Sequence, residues 1–199
     1  MAALHLSKVF EPDMGYNITF LNLKNNNLTS KAGEYIGEAL CNNPDYPIGK
    51  LVFGGICLEE TGLTRIIEAV NVNKNIVQLN VGIITDRGLE IISDLLKTND
   101  SLQEITMIQT TDPQKLWTDR GRKCLTEMLR QHTQLRKVKL FKSTKKLSDT
   151  DKLFQDEVNF YTDMKSAAQK KKKEYKKILD SCDNTQMFDK LLKLVEDPD

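Results

Sequence analysis

An apolar-x-x-apolar-x-apolar pattern returns five times along this chain, as Ile18/Leu21/Leu23, Ile48/Leu51/Phe53, Ile76/Leu79/Val81, Leu102/Ile105/Met107 and Leu135/Val138/Leu140. Successive first positions lie 30, 28, 26 and 33 residues apart. A period of this length marks a repeat architecture, in which no unit can bury its apolar side alone and neighbours must stack to share a core. That single feature excludes most other folds for the segment it covers.

Each copy also has a second half. Gly33, Gly62, Gly88 and Gly121 stand before EYIGEALCNN, LTRIIEAVNVN, LEIISDLLKTN and RKCLTEMLRQHT. There Ala39/Leu40, Ala69/Val70, Leu95/Leu96 and Met128/Leu129 are expected to face inward from a helix. Each stretch closes on a short polar residue or on His132, where a helix end is expected to turn through left-handed backbone. In the first copy Leu21 and Leu23 alternate with Asn22 and Lys24, the period of a half-buried strand, and Asn25-Asn26-Asn27 supplies a turn. The unit is therefore strand, turn, helix.

LNLKNNNLTSKAGEYIGEALCNN resembles the repeat of the leucine-rich repeat superfamily, in the longer subtype with a full helix per repeat found in ribonuclease inhibitor and in the C-terminal domain of tropomodulins. The resemblance covers residues 18–141. It implies an α/β fold: a right-handed solenoid with a parallel sheet on its concave face and helices on its convex face. Asn26 fits the turn asparagine of the family, whereas Ile56, Ile84, Thr110 and Ser143 stand at the matching positions of later copies. The fourth repeat carries an insertion, QTTDPQKLWTDR, which holds the one tryptophan, Trp117, before a helix starting at Thr118 or Asp119. This insertion is expected to protrude or to pad the rim.

Three parts are expected: an N-terminal cap over 1–17, the solenoid over 18–141, and a helical, Lys-rich extension over 142–199. The extension has helix formers and no Gly or Pro from 142 to 180, with Ser148 or Thr150 as a plausible N-cap of a helix reaching 179. Its apolar positions, Leu147, Phe154, Val158, Tyr161, Met164, Ala168, Tyr175, Leu179 and Cys182, read as one stripe. A turn at Asp183-Asn184 and a second short helix, TQMFDKLLKLVED, follow. Residues 142–179 hold eleven Lys against six Asp or Glu. The lysines of QKKKKEYKK interrupt the stripe, so this end is expected to be solvated or to meet an acidic partner.

Several function classes lose ground on composition. Lys+Arg number 29 and Asp+Glu 28, a net charge of +1 that draws the whole chain toward neither nucleic acid nor membrane. No apolar run is long enough to span a bilayer, and MAALHLSKVF lacks the basic leader and apolar stretch of a signal peptide. Cys41, Cys57, Cys124 and Cys182 are scattered without metal spacing, and are expected to be reduced. The triplets at Asn17, Asn27 and Asn99 read as chance matches to a glycosylation site. The two histidines, His5 and His132, lie far apart, and no phosphate-binding or nucleophile motif occurs, so no enzyme, cofactor or metal site is expected.

What remains is a surface. Strand alternation places Phe20, Asn22 and Lys24; Lys50, Val52 and Gly54; Gln78, Asn80 and Gly82; Glu104, Thr106 and Ile108; and Lys137, Lys139 and Phe141 on the concave face. Apolar anchors among polar groups suit a protein partner, although ordinary solvent-facing strand residues would look the same. On the tail helix, Phe154, Val158, Tyr161, Lys170, Lys171, Lys172, Lys173 and Tyr175 form a second candidate contact. A solvated face or an acidic protein such as a filament suits these lysines better than nucleic acid or an acidic membrane, since only Tyr175 interleaves them.

The expectation is a non-catalytic scaffold, with a coiled-coil or helix-in-groove contact from the tail, bridging protein partners in a cytoskeletal assembly, actin or ciliary axoneme, in the cytoplasm rather than outside the cell. The rival is an inhibitor or adaptor that holds a single target on the concave face, its tail helix capping the core. No tropomodulin segment outside the repeats is recognisable, so no actin-contacting residue carries over.

Overall fold

Parallel strands must be joined by crossovers of a dozen or more residues, usually a helix, and every repeat of this sequence supplies one. The computed structural model of the 199-residue chain describes residues 2–26, 28–56, 58–109, 117–132, 134–142 and 149–181, and at 141–142, 150 and 175–181 the backbone alone. In chain order the elements are α1 (Ala2–Ser7), β1 (Phe20–Asn22), α2 (Lys31–Asn42), β2 (Lys50–Val52), α3 (Glu59–Val72), β3 (Gln78–Ile84), α4 (Asp86–Leu96), β4 (Glu104–Gln109), α5 (Asp119–Gln131), β5 (Lys137–Lys142) and α6 (Asp149–Ser181). Short 3₁₀ turns at Lys8–Phe10 and Pro12–Met14 lie between α1 and β1. Two units are distinguished, Met1–Thr162 and Asp163–Asp199. All five strands belong to the first.

The strands form one parallel sheet in the order β1-β2-β3-β4-β5. Leu21, Leu51, Leu79, Ile105 and Val138 stand side by side across it. Their common rung turns toward the helices, and Leu51 and Ile105 are wholly buried. On that side the crossover helices pack in a row, α2 on α3, α3 on α4 and α4 on α5. The inward helical residues are those of the sequence pattern: Leu40, Ala69, Val70, Leu96, Met128 and Leu129 are buried, and Ala39 and Leu95 are half-buried.

The repeated glycines let the helices approach. A Cβ on Gly33 would lie 2.7 Å from the Gly62 carbonyl oxygen, and one on Gly62 would lie 2.5 Å from the Ser30 carbonyl oxygen. Backbone therefore meets backbone at the first turns of α2 and α3, and a side chain there would wedge them apart.

The helix ends depart from the sequence reading. Asn43, Asn73 and His132, the C-caps of α2, α3 and α5, have φ of −130°, −87° and −72°, outside the left-handed region. They are used for their side chains. Asn73 Nδ2 donates to the Tyr46 carbonyl at 3.0 Å, and Asn99 Nδ2 donates to the Val70 carbonyl at 3.1 Å. Asn99 Oδ1 accepts from the Ser101 and Leu102 amides, and His132 Nδ1 accepts from the Gln134 and Leu135 amides. Asn43 Nδ2 reaches the Phe10 carbonyl at 2.9 Å. A ladder of side-chain caps thus satisfies loop backbone between helix and strand. Asn99, the acceptor of its glycosylation triplet, is itself only 4% exposed.

At the β1 end Phe10 is fully buried, its ring edge-on to Tyr46 at 5.0 Å, and α1 packs on α2. At the β5 end Trp117 is 6% exposed and donates through Nε1 to the Ile84 carbonyl at 3.2 Å. It neither protrudes nor pads a rim but fills the core, because its indole fits between β3 and Phe154, whose ring is edge-on at 6.2 Å. The remainder of the insertion, 110–116, lies outside the described residues, as do Leu147, Ser148 and the expected short helix after Asp183. Thr150 sits inside α6 and is not its cap.

Candidate functional site

The side of the sheet away from the helices carries the side chains that alternate with the core rungs. Phe20, Lys50, Gln78, Glu104 and Lys137 form one row in register, and Asn22, Val52, Asn80, Thr106 and Lys139 form the next. None of these ten is buried, and Phe20 is 51% exposed. The rows match the positions read from the sequence.

The third row is different. Between Asn80 and Gly82 the register of β3 on β4 shifts by one residue, so that Ile83, not Gly82, stands opposite Ile108, which stands opposite Phe141. Gly82 has φ +74°, and its amide is held by Asn80 Oδ1 at 2.9 Å. A Cβ there would collide with the Ile56 carbonyl and lie 3.1 Å from that of Phe53. Gly82 is buried and leaves the face, and the bulge turns the half-buried Ile83 onto it. Lys24 and Gly54 stay where they were expected: an added Cβ on Gly54 would touch Asn80 and Lys24 side chains at 3.4 Å.

Charge is distributed unevenly over the two sides. Among the described residues, Lys24, Lys50, Lys137 and Lys139 stand on the open side with one carboxylate, Glu104. Glu104 lies 3.7 Å from Lys137. Lys50 rests its ammonium 5.1 Å from the centre of the Phe20 ring. On the helix side, cations are matched locally: Lys31 with Glu34 at 2.6 Å, Arg65 with Glu68 at 2.9 Å, Lys97 with Asp94 at 2.8 Å, and Arg87 with Glu90. The hydrogen bond from Lys31 holds the Glu34 carboxyl below the usual carboxylate range.

The tail-helix candidates separate into two faces. Phe154 is 7% exposed and Val158 fully buried, both in the core of the first unit, so they are not available to a partner. Tyr161 is half-buried, and its hydroxyl accepts from Arg130 Nε at 2.6 Å. Arg122 Nη2 meets Asp151 Oδ1 at 2.8 Å beside Phe154. A groove of about 390 Å³, lined by Arg122, Thr126, Arg130, Leu153 and Phe154, is left between α5 and this part of α6. Leu153 and Phe160, seven residues apart and 70% and 59% exposed, are outward apolar positions that lie outside the stripe read from the sequence. Lys170, Lys171, Lys172 and Lys173 are exposed, and Tyr175 is described in backbone only.

Among the described residues no cluster of His, Cys, Asp or Glu could hold a metal ion, and no helix is long and apolar enough to cross a membrane. Comparison with solved structures places the fold. The chain is similar to the actin-binding site 2 of leiomodin-1, with a TM-score of 0.63 and 18% identity over 88% of this chain and 95% of that one. It is similar also to a tropomodulin C-terminal domain from Caenorhabditis elegans, with a TM-score of 0.64 and 12% identity over 87% of this chain and 98% of that one. No family model and no curated protein sequence matches it. The shared property is the α/β fold with its parallel sheet.

Proposed function

We propose that the chain is a non-catalytic leucine-rich-repeat solenoid that binds a cytoskeletal protein across the open face of its sheet, with actin the first candidate. The observation that supports the reading most is the extent of the structural likeness to an actin-binding site of leiomodin-1, nearly the whole of both chains. A preformed sheet face with apolar positions among polar ones suits protein contact, and needs little ordering on binding. The exposed lysines 170–173 of α6 supply a second contact, which makes the module a bridge within a cytoplasmic, cytoskeletal assembly.

The burial of Phe154 and Val158 favours the rival reading for one stretch only. The first half of α6 is spent on the chain's own core, so a bridging role rests on the lysines beyond Thr162. Co-sedimentation of the full chain with actin filaments, together with the elongation rate of filament ends, tests the reading. Saturable pelleting or slowed elongation is expected. A protein that stays in the supernatant at high filament concentration and leaves both ends growing normally contradicts it.

A further inference from the structure

We infer that the open face of the sheet takes an acidic protein segment, two carboxylate clusters flanking an apolar anchor, laid across the strands. This rests on the reading of the sheet as a protein-binding face and adds the chemistry of what binds.

The inference comes from the contrast between the two sides of one sheet. On the helix side many cations have a carboxylate partner, within a turn in Lys31–Glu34, Arg65–Glu68 and Lys97–Asp94 and across repeats in Lys74–Asp100 and Arg120–Glu90. The open side differs. Lys24, Lys50 and Lys139 make no ion pair with a described residue, and Glu104 offsets Lys137 alone. In a chain whose net charge is +1, four lysines against one carboxylate among the described residues of a single face are a local excess. Such an excess attracts an oppositely charged partner and orients it.

The cations also sit at the two ends of the rows. Lys24 and Lys50 lie at the β1–β2 end, and Lys137 and Lys139 on β5, with Gln78, Asn80, Thr106, Ile83 and Ile108 between them. The β2-to-β5 separation is three strand spacings, or about 14 Å. An extended segment covers that distance in roughly four residues at ~3.3 Å each. The middle of the face offers half-buried Ile83 and Ile108 to the apolar anchor. A nucleic acid fits less well. The exposed aromatic, Phe20, has the Lys50 ammonium over its ring, where a stacking base would have to lie.

The test uses the full chain and a fluorescein-labelled peptide with two Glu pairs separated by a four-residue apolar spacer. Anisotropy should show saturable binding that weakens at least tenfold in the double variant Lys50→Glu/Lys139→Glu and falls with rising salt. The control Lys31→Glu/Lys97→Glu on the helix side, equal in its change of charge, should leave it unchanged. Because the face lysines are exposed, circular dichroism should report an intact fold in both variants. No saturable binding, equal loss in the helix-side control, or displacement of the peptide by a single-stranded oligonucleotide of equal charge overturns the inference. Filament pelleting run in parallel separates the two readings. Peptide binding without pelleting removes actin but keeps the acidic ligand, whereas pelleting that survives Lys50→Glu/Lys139→Glu keeps actin and removes this face from its contact.

Discussion

Arg122 on α5 and Asp151 on α6 meet at 2.8 Å with side chains only 15% and 9% exposed, and this pair fastens the start of the C-terminal helix to the last repeat. Removing Asp151 leaves Arg122, in a nearly dry setting, with only the more distant Asp119 carboxylate at 3.9 Å. Asp151→Ala should therefore destabilise the fold by about 3–5 kcal/mol, and replacing both by apolar residues, Arg122→Met/Asp151→Leu, should recover most of the loss. Urea denaturation of the single and double variants measures both.

The side-chain ladder between helix and strand makes a different prediction. Asn99 serves the Val70 carbonyl and the amides of Ser101 and Leu102 from a buried position. Asn99→Ala leaves several of these groups unsatisfied and should destabilise by about 2–4 kcal/mol. At the equivalent place the Gln134 and Leu135 amides are met by His132 Nδ1, an acceptor that asparagine reproduces with Oδ1. His132→Asn should lose about 1 kcal/mol or less, whereas His132→Ala should resemble Asn99→Ala. Thermal melts of the four proteins check the ranking.

Gly62→Ala tests the close approach of α2 and α3. With the Ser30 carbonyl oxygen 2.5 Å from the new methyl, the helices must separate, at a loss of about 1–3 kcal/mol. Helix propensity alone predicts the opposite sign, since alanine is the better helix former by about 1 kcal/mol. Chemical denaturation decides between them.

Lys165, on the α6 segment that follows Thr162, titrates at about 8 because burial disfavours its charged form. Its ordinary value is 10.5. The unfolded chain therefore binds this proton more tightly than the folded one. The resulting penalty is complete below pH 8 and disappears as pH climbs from about 8 to 10.5. Lys165→Met should accordingly be more stable than the parent at pH 7, and the gap should narrow toward pH 10. Parallel denaturation curves at the two pH values read the gap directly.

The period, the strand positions and the first two rows of the open face were legible because the same side chains that set the repeat also bury the core. Leu51, Leu79 and Ile105 cannot slip by one residue without turning outward. The bulge at Gly82 was not legible, since Val81 continues the apolar pattern on either register and only the positive φ of Gly82 shifts Ile83 across. The caps were assigned to the right residues for the wrong reason: Asn43, Asn73 and His132 mark helix ends through hydrogen bonds spanning 27 to 33 residues, or to the next loop, which local patterns do not record. On α6, intervals of three, four and seven picked out Phe154 and Val158 but could not say what the stripe meets. Contact with Trp117 and Arg122 spends Phe154 on the chain's own core, and Leu153 and Phe160, outside the stripe, are the exposed apolar positions.

Lysine acetylation footprinting of the full chain, free and with saturating actin filaments, tests most directly whether the open face is the one that binds. Lys24, Lys50, Lys137 and Lys139 should be protected in the complex, while Lys31, Lys74 and Lys97 on the helix side should react as in the free protein. Protection confined to the helix-side lysines, or none at all in a complex shown to have formed, contradicts the account.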